Sequence, residues 1–315
     1  MEKQLAKRQL IALDLDGTIL KEVHTIPPEM VEVLRTLHSK GYIILINTGR
    51  TFAYSRQIFN QLDFPFFGGF TNGVALAHIV KEETFRKLAE NKTAENKTDL
   101  KYHFNSQNTI KRENFLIDVK YEVSLPEGLL PTIKSIFEKQ KIDPIFQSGI
   151  RGGDTTTYEP LKYPNNELIE ILSEDPERRI QVESILAYDS SQFVSVFGCT
   201  KNFEGAEKIV NECETIEGLY AVAFLHSYFL DTMWLTVGSK NVNKGLPVKK
   251  LKGMFDLKQE NIYAFGNDRN DIPMLLEAGT AVAVENSPEE VLAVANYTVK
   301  KPEEDGVLSF LKELV

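Results

Sequence analysis

The sequence has few of the residues that stabilise small extracellular proteins or bind zinc. Among its 315 residues there are two cysteines, Cys199 and Cys213, and five histidines. A disulfide framework needs several paired cysteines, so the sequence does not predict a disulfide-stabilised protein, and both cysteines are interpreted as small buried residues. Because the histidines are scattered and none lies four residues from another, the sequence also lacks the usual zinc-binding patterns.

Long apolar runs and an excess of positive charge are also missing. No run approaches the roughly 20 apolar residues that a transmembrane helix needs, and the N-terminal segment contains no signal-peptide core. The formal net charge is −9, whereas a general nucleic-acid-binding protein needs a basic surface that displaces counterions. We therefore expect a cytoplasmic protein that has no nucleic-acid or membrane partner.

The apolar residues alternate between the patterns of strands and helices. Residues 9–16 begin with the continuous apolar run of a strand that is buried on both faces, and residues 42–46 form a second such run. Between them, residues 27–40 have the apolar spacing of a helix that ends at Gly41. A strand, a helix and a second strand in this order indicate a βαβ unit and therefore a parallel sheet.

The C-terminal third returns to this alternation after a region of different character. Between residues 84 and 236 the loops are longer and more charged, and the runs 193–197 and 219–224 are typical of half-buried strands. Beyond this region, the sequence predicts strands at 261–265, 280–284 and 297–299 and helices at 242–255, 271–278, 287–295 and 303–314. We predict an α/β fold, in which a Rossmann-like parallel-sheet core of residues 1–83 and 237–315 carries an inserted α+β domain of residues 84–236.

Four short polar segments lie at or beside the ends of predicted core strands. Ligand sites in open parallel sheets lie outside the carboxyl ends of the strands, so these segments are expected to converge if the strands are neighbours. They are residues 14–18 (DLDGT), 47–50 (NTGR), 243–245 (NKG) and 266–271 (GNDRND).

The residue types in these segments favour a phosphate and a divalent cation. Asp14 and Asp16 would repel each other unless a cation lay between them or one kept its proton, and the oxygen-rich last segment suits Mg²⁺. The hydroxyl of Thr48 and the N–H groups of a helix start can bind phosphate oxygens, and Lys244 is a cation at a helix end that usually disfavours one. Taken singly, each segment also has a plainer interpretation as a helix cap, a turn or an exposed loop.

Together and in this order, the segments resemble the four motifs of the haloacid dehalogenase (HAD) superfamily. The order is far more specific than any one motif, and Asn72-Gly73 and residues 305–307 (DGV) are further matches. The insert resembles, more weakly, the type IIB cap of the Cof-like phosphatases. The resemblance therefore covers the core at both ends of the chain and implies that the insert covers the site and sets specificity.

This resemblance implies a Mg²⁺-dependent phosphatase that acts on a small phosphorylated metabolite, such as a sugar phosphate. Asp14 would attack phosphorus and form an aspartyl-phosphate, and Asp16 would act first as general acid and then as general base. Thr48 and Lys244 would stabilise the charge on the transferring phosphoryl oxygens.

The resemblance also implies a set of ligands around these catalytic residues. The expected Mg²⁺ ligands are Asp14, the main-chain carbonyl of Asp16, Asn267 and Asp271, the last of which is expected to orient Lys244 and to reach the metal directly or through water. The residues expected at the substrate phosphate or the site entrance are Gly17, Gly49, Arg50 and Asn270.

Asn267 departs from the family pattern, which usually has an aspartate at this position of the last motif. An amide oxygen can ligate Mg²⁺ but carries no negative charge, so weaker metal binding is expected. Two alternatives stay open: a phosphomutase, in which the phosphoryl group passes to a second hydroxyl, and a phospho-ligand-binding protein that has lost catalysis, which Asn267 would favour.

Overall fold

The computed structural model describes residues 8–90, 104, 107–225, 229 and 231–315. The chain forms two compact units, of which the first contains Met1–Tyr121 and Asn243–Val315 and the second contains Glu122–Val242. Because both ends of the chain belong to the first unit, the second is an insertion into it.

The elements of both units are numbered together in chain order. The described strands are β1 (Leu10–Leu13), β2 (Ile43–Asn47), β3 (Phe66–Phe70), β4 (Ala75–Lys81), β5 (Thr109–Arg112), β6 (Phe115–Glu122), β7 (Ile145–Gln147), β8 (Thr156–Tyr158), β9 (Arg179–Gln181), β10 (Ser195–Thr200), β11 (Leu219–Leu225), β12 (Met233–Ser239), β13 (Ile262–Gly266), β14 (Thr280–Val284) and β15 (Tyr297–Val299). The described helices are α1 (Pro28–Ser39), α2 (Phe52–Phe59), α3 (Glu82–Glu90), α4 (Leu130–Lys139), α5 (Asn166–Ser173), α6 (Phe203–Glu214), α7 (Gly245–Met254), α8 (Ile272–Leu275), α9 (Glu289–Val294) and α10 (Gly306–Lys312). None of the helices in the described ranges is long and apolar enough to span a membrane.

Nine of the described strands form one sheet, in the order β15-β14-β13-β1-β2-β3-β4-β6-β5. Every neighbouring pair from β15 to β3 is parallel, whereas β3 with β4 and β5 with β6 are antiparallel. β1 lies between β13 and β2, and its four residues are fully buried, which explains its unbroken apolar sequence. The predicted α/β core with a parallel sheet is confirmed.

Six further described strands form the sheet of the second unit, in the order β11-β12-β10-β7-β8-β9. Its neighbouring strands are antiparallel except for β8 and β9, which are parallel. α4 and α6 pack on this sheet through a buried core that includes Ile133, Phe137, Ile209, Leu219 and Leu235. This arrangement is the α+β insert that the sequence predicts.

The boundaries of the two units differ from the predicted limits of 84 and 236. β5 and β6 lie within the predicted insert, yet β6 is the neighbour of β4 in the large sheet, so the first unit extends to Tyr121. At the other end, residue 237 lies inside β12, which belongs to the second sheet, and the first unit resumes at Asn243. Strand patterns in a sequence do not specify which sheet a strand joins.

Most predicted core elements are present and differ at their ends, and β14 and β15 agree residue for residue with the prediction. α7 begins at Gly245 rather than at residue 242, because the side chain of Asn243 accepts the Gly245 N–H at 2.9 Å in a turn before the helix. α10 begins at Gly306 rather than at residue 303, because Asp305 has a φ of +57° that interrupts the helix.

Candidate active site

The candidate site lies where β1, β2 and β13 end side by side. Leu13 is in register with Ile46 of β2 and with Phe265 of β13, and the N–H of Asp14 donates to the carbonyl of Phe265 at 3.0 Å. The parallel sheet therefore brings three of the four predicted segments to one edge. The remaining segment, residues 243–245, reaches the same place through Lys244, the residue immediately before α7.

A buried ion-pair triad forms the centre of this site. The Nζ of Lys244 lies 2.6 Å from Oδ1 of Asp14 and 2.6 Å from Oδ1 of Asp271, and no side chain of the three is more than 5% exposed. Burial alone would lower the pKa of Lys244, but the two carboxylates outweigh it and raise that pKa. Burial and the nearby Asp271 raise the pKa of Asp14 to about 7. One ammonium thus serves two carboxylates, and a further cation beside Asp14 would relieve the excess negative charge.

Asp271 uses both of its carboxylate oxygens within the protein. Oδ1 binds Lys244, and Oδ2 accepts the main-chain N–H groups of Asn267 and Asp268 at 2.9 and 3.0 Å. Gly266 is required beside it, since a Cβ there would lie 2.5 Å from the Cβ of Asp271. Of the two roles expected of Asp271, these contacts favour the orientation of Lys244.

Three oxygen-bearing groups, one of them from Asp14, lie close together in an arrangement that suits a hard cation. They are Oδ2 of Asp14, the main-chain carbonyl of Asp16 and the side-chain amide of Asn267, which lies within hydrogen-bond distance of the other two. The described residues hold no metal-binding cluster of three or more His, Cys, Asp or Glu side chains. One carboxylate, one carbonyl and one amide oxygen are nevertheless the ligand types that Mg²⁺ takes, so the residues present fit this ion.

Gly17 makes the close approach of the first and last segments possible. Its φ of +74° lies in the left-handed region, and a Cβ at this position would lie 2.4 Å from the side-chain amide of Asn267. A side chain here would therefore push Asn267 away from Asp14. The contact supports the prediction that Gly17 belongs to the site, where its backbone conformation and its lack of a side chain leave room for Asn267.

The side chain of Asp16, unlike those of the triad, is largely exposed to solvent. It is 56% exposed and forms a two-point ion pair with Arg50, whose Nε lies 2.8 Å from Oδ2 and whose second nitrogen contacts Oδ1. The guanidinium of Arg50 also lies over the ring of Tyr54, at 4.9 Å from the ring centre. Asp16 is thus a solvent-accessible acid that an arginine holds at the mouth of the buried site.

Thr48 lies buried at the end of β2, where its hydroxyl oxygen accepts the N–H of Arg50 at 3.1 Å. The predicted entrance residues Gly49 and Asn270 meet at Asn72. A Cβ at Gly49 would lie 3.2 Å from Oδ1 of Asn72, and Nδ2 of Asn270 donates to that oxygen at 3.0 Å. The structure therefore brings Thr48, Gly49, Arg50 and Asn270 to the same side of the site.

Three further residues belong to the site, although no role was predicted for them from the sequence. Thr18 donates its hydroxyl proton to Oδ2 of Asp14 at 2.9 Å. Asn47 is fully buried, and its Nδ2 donates at 2.7 Å to the main-chain carbonyl of Lys244. Asn72 joins Gly49 to Asn270. A polar Asn47 directly after the apolar run of β2 was a readable signal, because a buried amide needs a partner.

Comparison with known proteins gives a consistent result over nearly the whole chain. A sequence model of the family described as haloacid dehalogenase-like hydrolase matches residues 11–311. The 5-amino-6-(5-phospho-D-ribitylamino)uracil phosphatase YitU of Bacillus subtilis is 24% identical over 307 residues, which are 98% of this chain and 97% of that protein. The pyridoxal phosphate phosphatase YbhA of Escherichia coli is 24% identical over 319 residues, covering 96% of this chain and 97% of that protein.

Solved structures share the fold. A haloacid dehalogenase-like hydrolase from Bacteroides thetaiotaomicron is similar with a TM-score of 0.68 at 20% identity, over 98% of this chain and 100% of that chain. A sugar phosphatase of HAD subclass IIB is similar with a TM-score of 0.65 at 20% identity, over 97% of this chain and 98% of that chain.

A substitution of Gly73 can test the close packing between the segment that contains Asn72 and residues 243–245, which contain Lys244. Its φ is +96°, and a Cβ there would lie 2.1 Å from the main-chain oxygen of Asn243, next to Lys244. Gly73→Ala is therefore expected to lower the free energy of unfolding by about 1–3 kcal/mol in urea titrations. The control is Gly253→Ala in α7, where a Cβ meets nothing within 4 Å and a gain of about 0.5–1 kcal/mol is expected. Wild-type stability of Gly73→Ala would contradict this packing.

Proposed function

Because this chain belongs to the haloacid dehalogenase-like hydrolase family, we propose that it is a Mg²⁺-dependent phosphatase that hydrolyses small phosphomonoesters through an aspartyl-phosphate on Asp14. The observation that carries the proposal is the buried carboxylate of Asp14, held by Lys244 and Thr18 beside a cluster of oxygen ligands. A second carboxylate, Asp16, stands two residues away in contact with solvent.

Asp14 has the properties of an oriented nucleophile. Its two oxygens are bound separately, Oδ1 by Lys244 at 2.6 Å and Oδ2 by Thr18 at 2.9 Å, so the carboxylate has one position in the site. Such positioning lowers the entropic cost of attack on phosphorus. Burial raises the pKa of Asp14 to about 7, and a cation beside it would lower that pKa and favour the ionised, nucleophilic carboxylate.

Asp16 has the accessibility that a general acid and base needs. In this role it first gives a proton to the leaving oxygen of the substrate and then takes one from the attacking water. The paired guanidinium of Arg50 holds its carboxylate next to the buried site. The carboxylate that the first step leaves is the base that the second step needs, and the exposure of Asp16 gives the leaving group and the water access to it.

Local cations provide the attraction for phosphate that the net charge of −9 does not. Lys244 inside the site and Arg50 at its mouth would bind the phosphoryl oxygens, with the hydroxyl of Thr48 as a donor. Asp14, the main-chain carbonyl of Asp16 and Asn267 would hold Mg²⁺, with Asp271 behind them to orient Lys244. When bound, this ion supplies positive charge that neutralises the phosphoryl oxygens.

The site and the similar proteins together support a substrate class. YitU and YbhA are named as phosphatases of a phosphorylated ribityl compound and of pyridoxal phosphate, and both are similar to this chain along nearly its whole length. We therefore place the substrate among small phosphorylated metabolites, and we assign Glu122–Val242 as the cap domain that selects among them.

Phosphate release from a panel of phosphomonoesters tests the proposed function. The panel contains p-nitrophenyl phosphate, a sugar phosphate, pyridoxal phosphate and 5-amino-6-(5-phospho-D-ribitylamino)uracil, each with Mg²⁺ and with a chelator. We expect release that depends on Mg²⁺ and stops with the chelator, because the ion completes the charge balance around Asp14. Transfer of phosphate to a second hydroxyl would show a phosphomutase, and phosphate binding without any release would show a binding protein.

A comparison of substrates with different leaving groups tests the role of Asp16. An alkyl phosphate needs a proton on its leaving oxygen, so Asp16→Asn is expected to lower its kcat/KM by about 10²–10⁴-fold. The loss should be much smaller for p-nitrophenyl phosphate, because nitrophenolate leaves without a proton.

The matched control is Asp63→Asn, which removes another exposed aspartate that is paired with an arginine, Arg35, at 2.8 Å. We expect Asp63→Asn to leave kcat/KM unchanged for both the alkyl phosphate and p-nitrophenyl phosphate. Equal losses for both substrates in Asp16→Asn would contradict the assignment of Asp16 as the acid.

A further inference from the structure

The side-chain amide of Asn267 is better hydrogen-bonded in one of its two orientations than in the other. With Oδ1 toward the site, that oxygen faces the main-chain carbonyl of Asp16 and Oδ2 of Asp14, which are both acceptors. With the two amide atoms exchanged, Nδ2 donates to the Asp16 carbonyl at 2.9 Å, to Oγ1 of Thr18 at 3.1 Å and to Oδ2 of Asp14 at 3.3 Å. An amide donor therefore lies where the oxygens of this site need positive charge.

The hydroxyl of Thr18 leads to the same orientation. It has one proton for two possible acceptors, Oδ2 of Asp14 at 2.9 Å and the amide oxygen of Asn267 at 3.1 Å, and the carboxylate takes it because it is the nearer and the stronger acceptor. Toward Asn267, at 3.1 Å, the hydroxyl can then only accept, so the facing amide atom must be Nδ2. Only a cation among the three oxygens would make the opposite orientation, with Oδ1 inward, favourable.

We propose that the amide of Asn267 occupies the place of the metal until Mg²⁺ binds, and that rotation of this amide about its Cβ–Cγ bond controls metal affinity. In the metal-free protein Nδ2 holds the Asp16 carbonyl and the Asp14 carboxylate together. For the ion to bind, these hydrogen bonds must break and Oδ1 must turn inward. The inference rests on the metal dependence of the proposed function and adds to it a device that this chain's Asn267 supplies.

An aspartate at this position would reverse both effects. It has no amide donor, and it would place a third carboxylate near Asp14 and Asp271, so the metal-free protein would lose stability. With Mg²⁺ present it would supply a charged ligand that has no internal hydrogen bonds to break, so the ion would bind more tightly. A loss of metal-free stability together with a gain in metal affinity is the signature of the proposal.

Calorimetric titration with MgCl₂ and thermal unfolding in chelator measure these two quantities without an activity assay. For Asn267→Asp we expect the Kd for Mg²⁺ to fall by about tenfold or more and the Tm in chelator to fall by about 2–4 °C. The control is Asn114→Asp, which adds the same charge at an exposed side chain outside the site, where it bonds Asn60. It should change the Kd by less than about threefold, because exposed charges are screened.

A measurement on the wild type keeps the proposal testable if Asn267→Asp does not fold. The side-chain NH₂ of Asn267, observed by NMR after ¹⁵N-asparagine labelling, should exchange slowly in chelator, because it is hydrogen-bonded. It should shift and exchange faster with saturating Mg²⁺, while the NH₂ of the buried Asn47 stays unchanged.

Equal Kd and equal metal-free Tm for wild type and Asn267→Asp would overturn this inference, as would an Asn267 NH₂ that Mg²⁺ leaves unchanged. Neither result would affect the proposed function, which depends on Mg²⁺-dependent release by the wild type. An absence of Mg²⁺ binding in wild type and both variants would instead overturn the two together.

Discussion

The ammonium of Lys244 holds the site together, because it is the cation that lets two carboxylates stay buried within a few ångströms of each other. Its Nζ lies 2.6 Å from both Asp14 and Asp271, in a place with almost no contact with water. Removing one partner from such a buried set costs about 3–5 kcal/mol, since the remaining charge is left uncompensated. The contacts of Lys244 therefore fix three parts of the site relative to one another: Asp14, residues 266–271 and the start of α7.

The surrounding structure serves to place that lysine and to leave negative charge beside it. Asn47 fixes the main chain of Lys244 from the end of β2, and Asp271 fixes its side chain while it also closes the turn that carries Asn267. One ammonium does not neutralise two carboxylates. The remaining charge explains why a divalent cation fits next to Asp14, and why the donor of Asn267 takes that place in its absence.

Much of the sheet and of the candidate site could be predicted from the sequence, because parallel strands bring their carboxyl ends to one edge whatever lies between them in the chain. The segments at residues 14–18, 47–50 and 266–271 follow buried strands, and the structure places them together. The sheet that β5 and β6 join, the meeting of Gly49 and Asn270 at Asn72, and the orientation of the Asn267 amide were not predictable. Each depends on partners that are distant in sequence, which no local pattern specifies.

The most direct test of this account is the turnover of Asp14→Asn in the presence of Mg²⁺, with far-UV circular dichroism as the check that the protein is folded. The account predicts a folded protein whose kcat is more than about 10³-fold below that of the wild type, because the carboxylate that forms the aspartyl-phosphate is missing. A folded Asp14→Asn protein that releases phosphate at a rate near that of the wild type would contradict it.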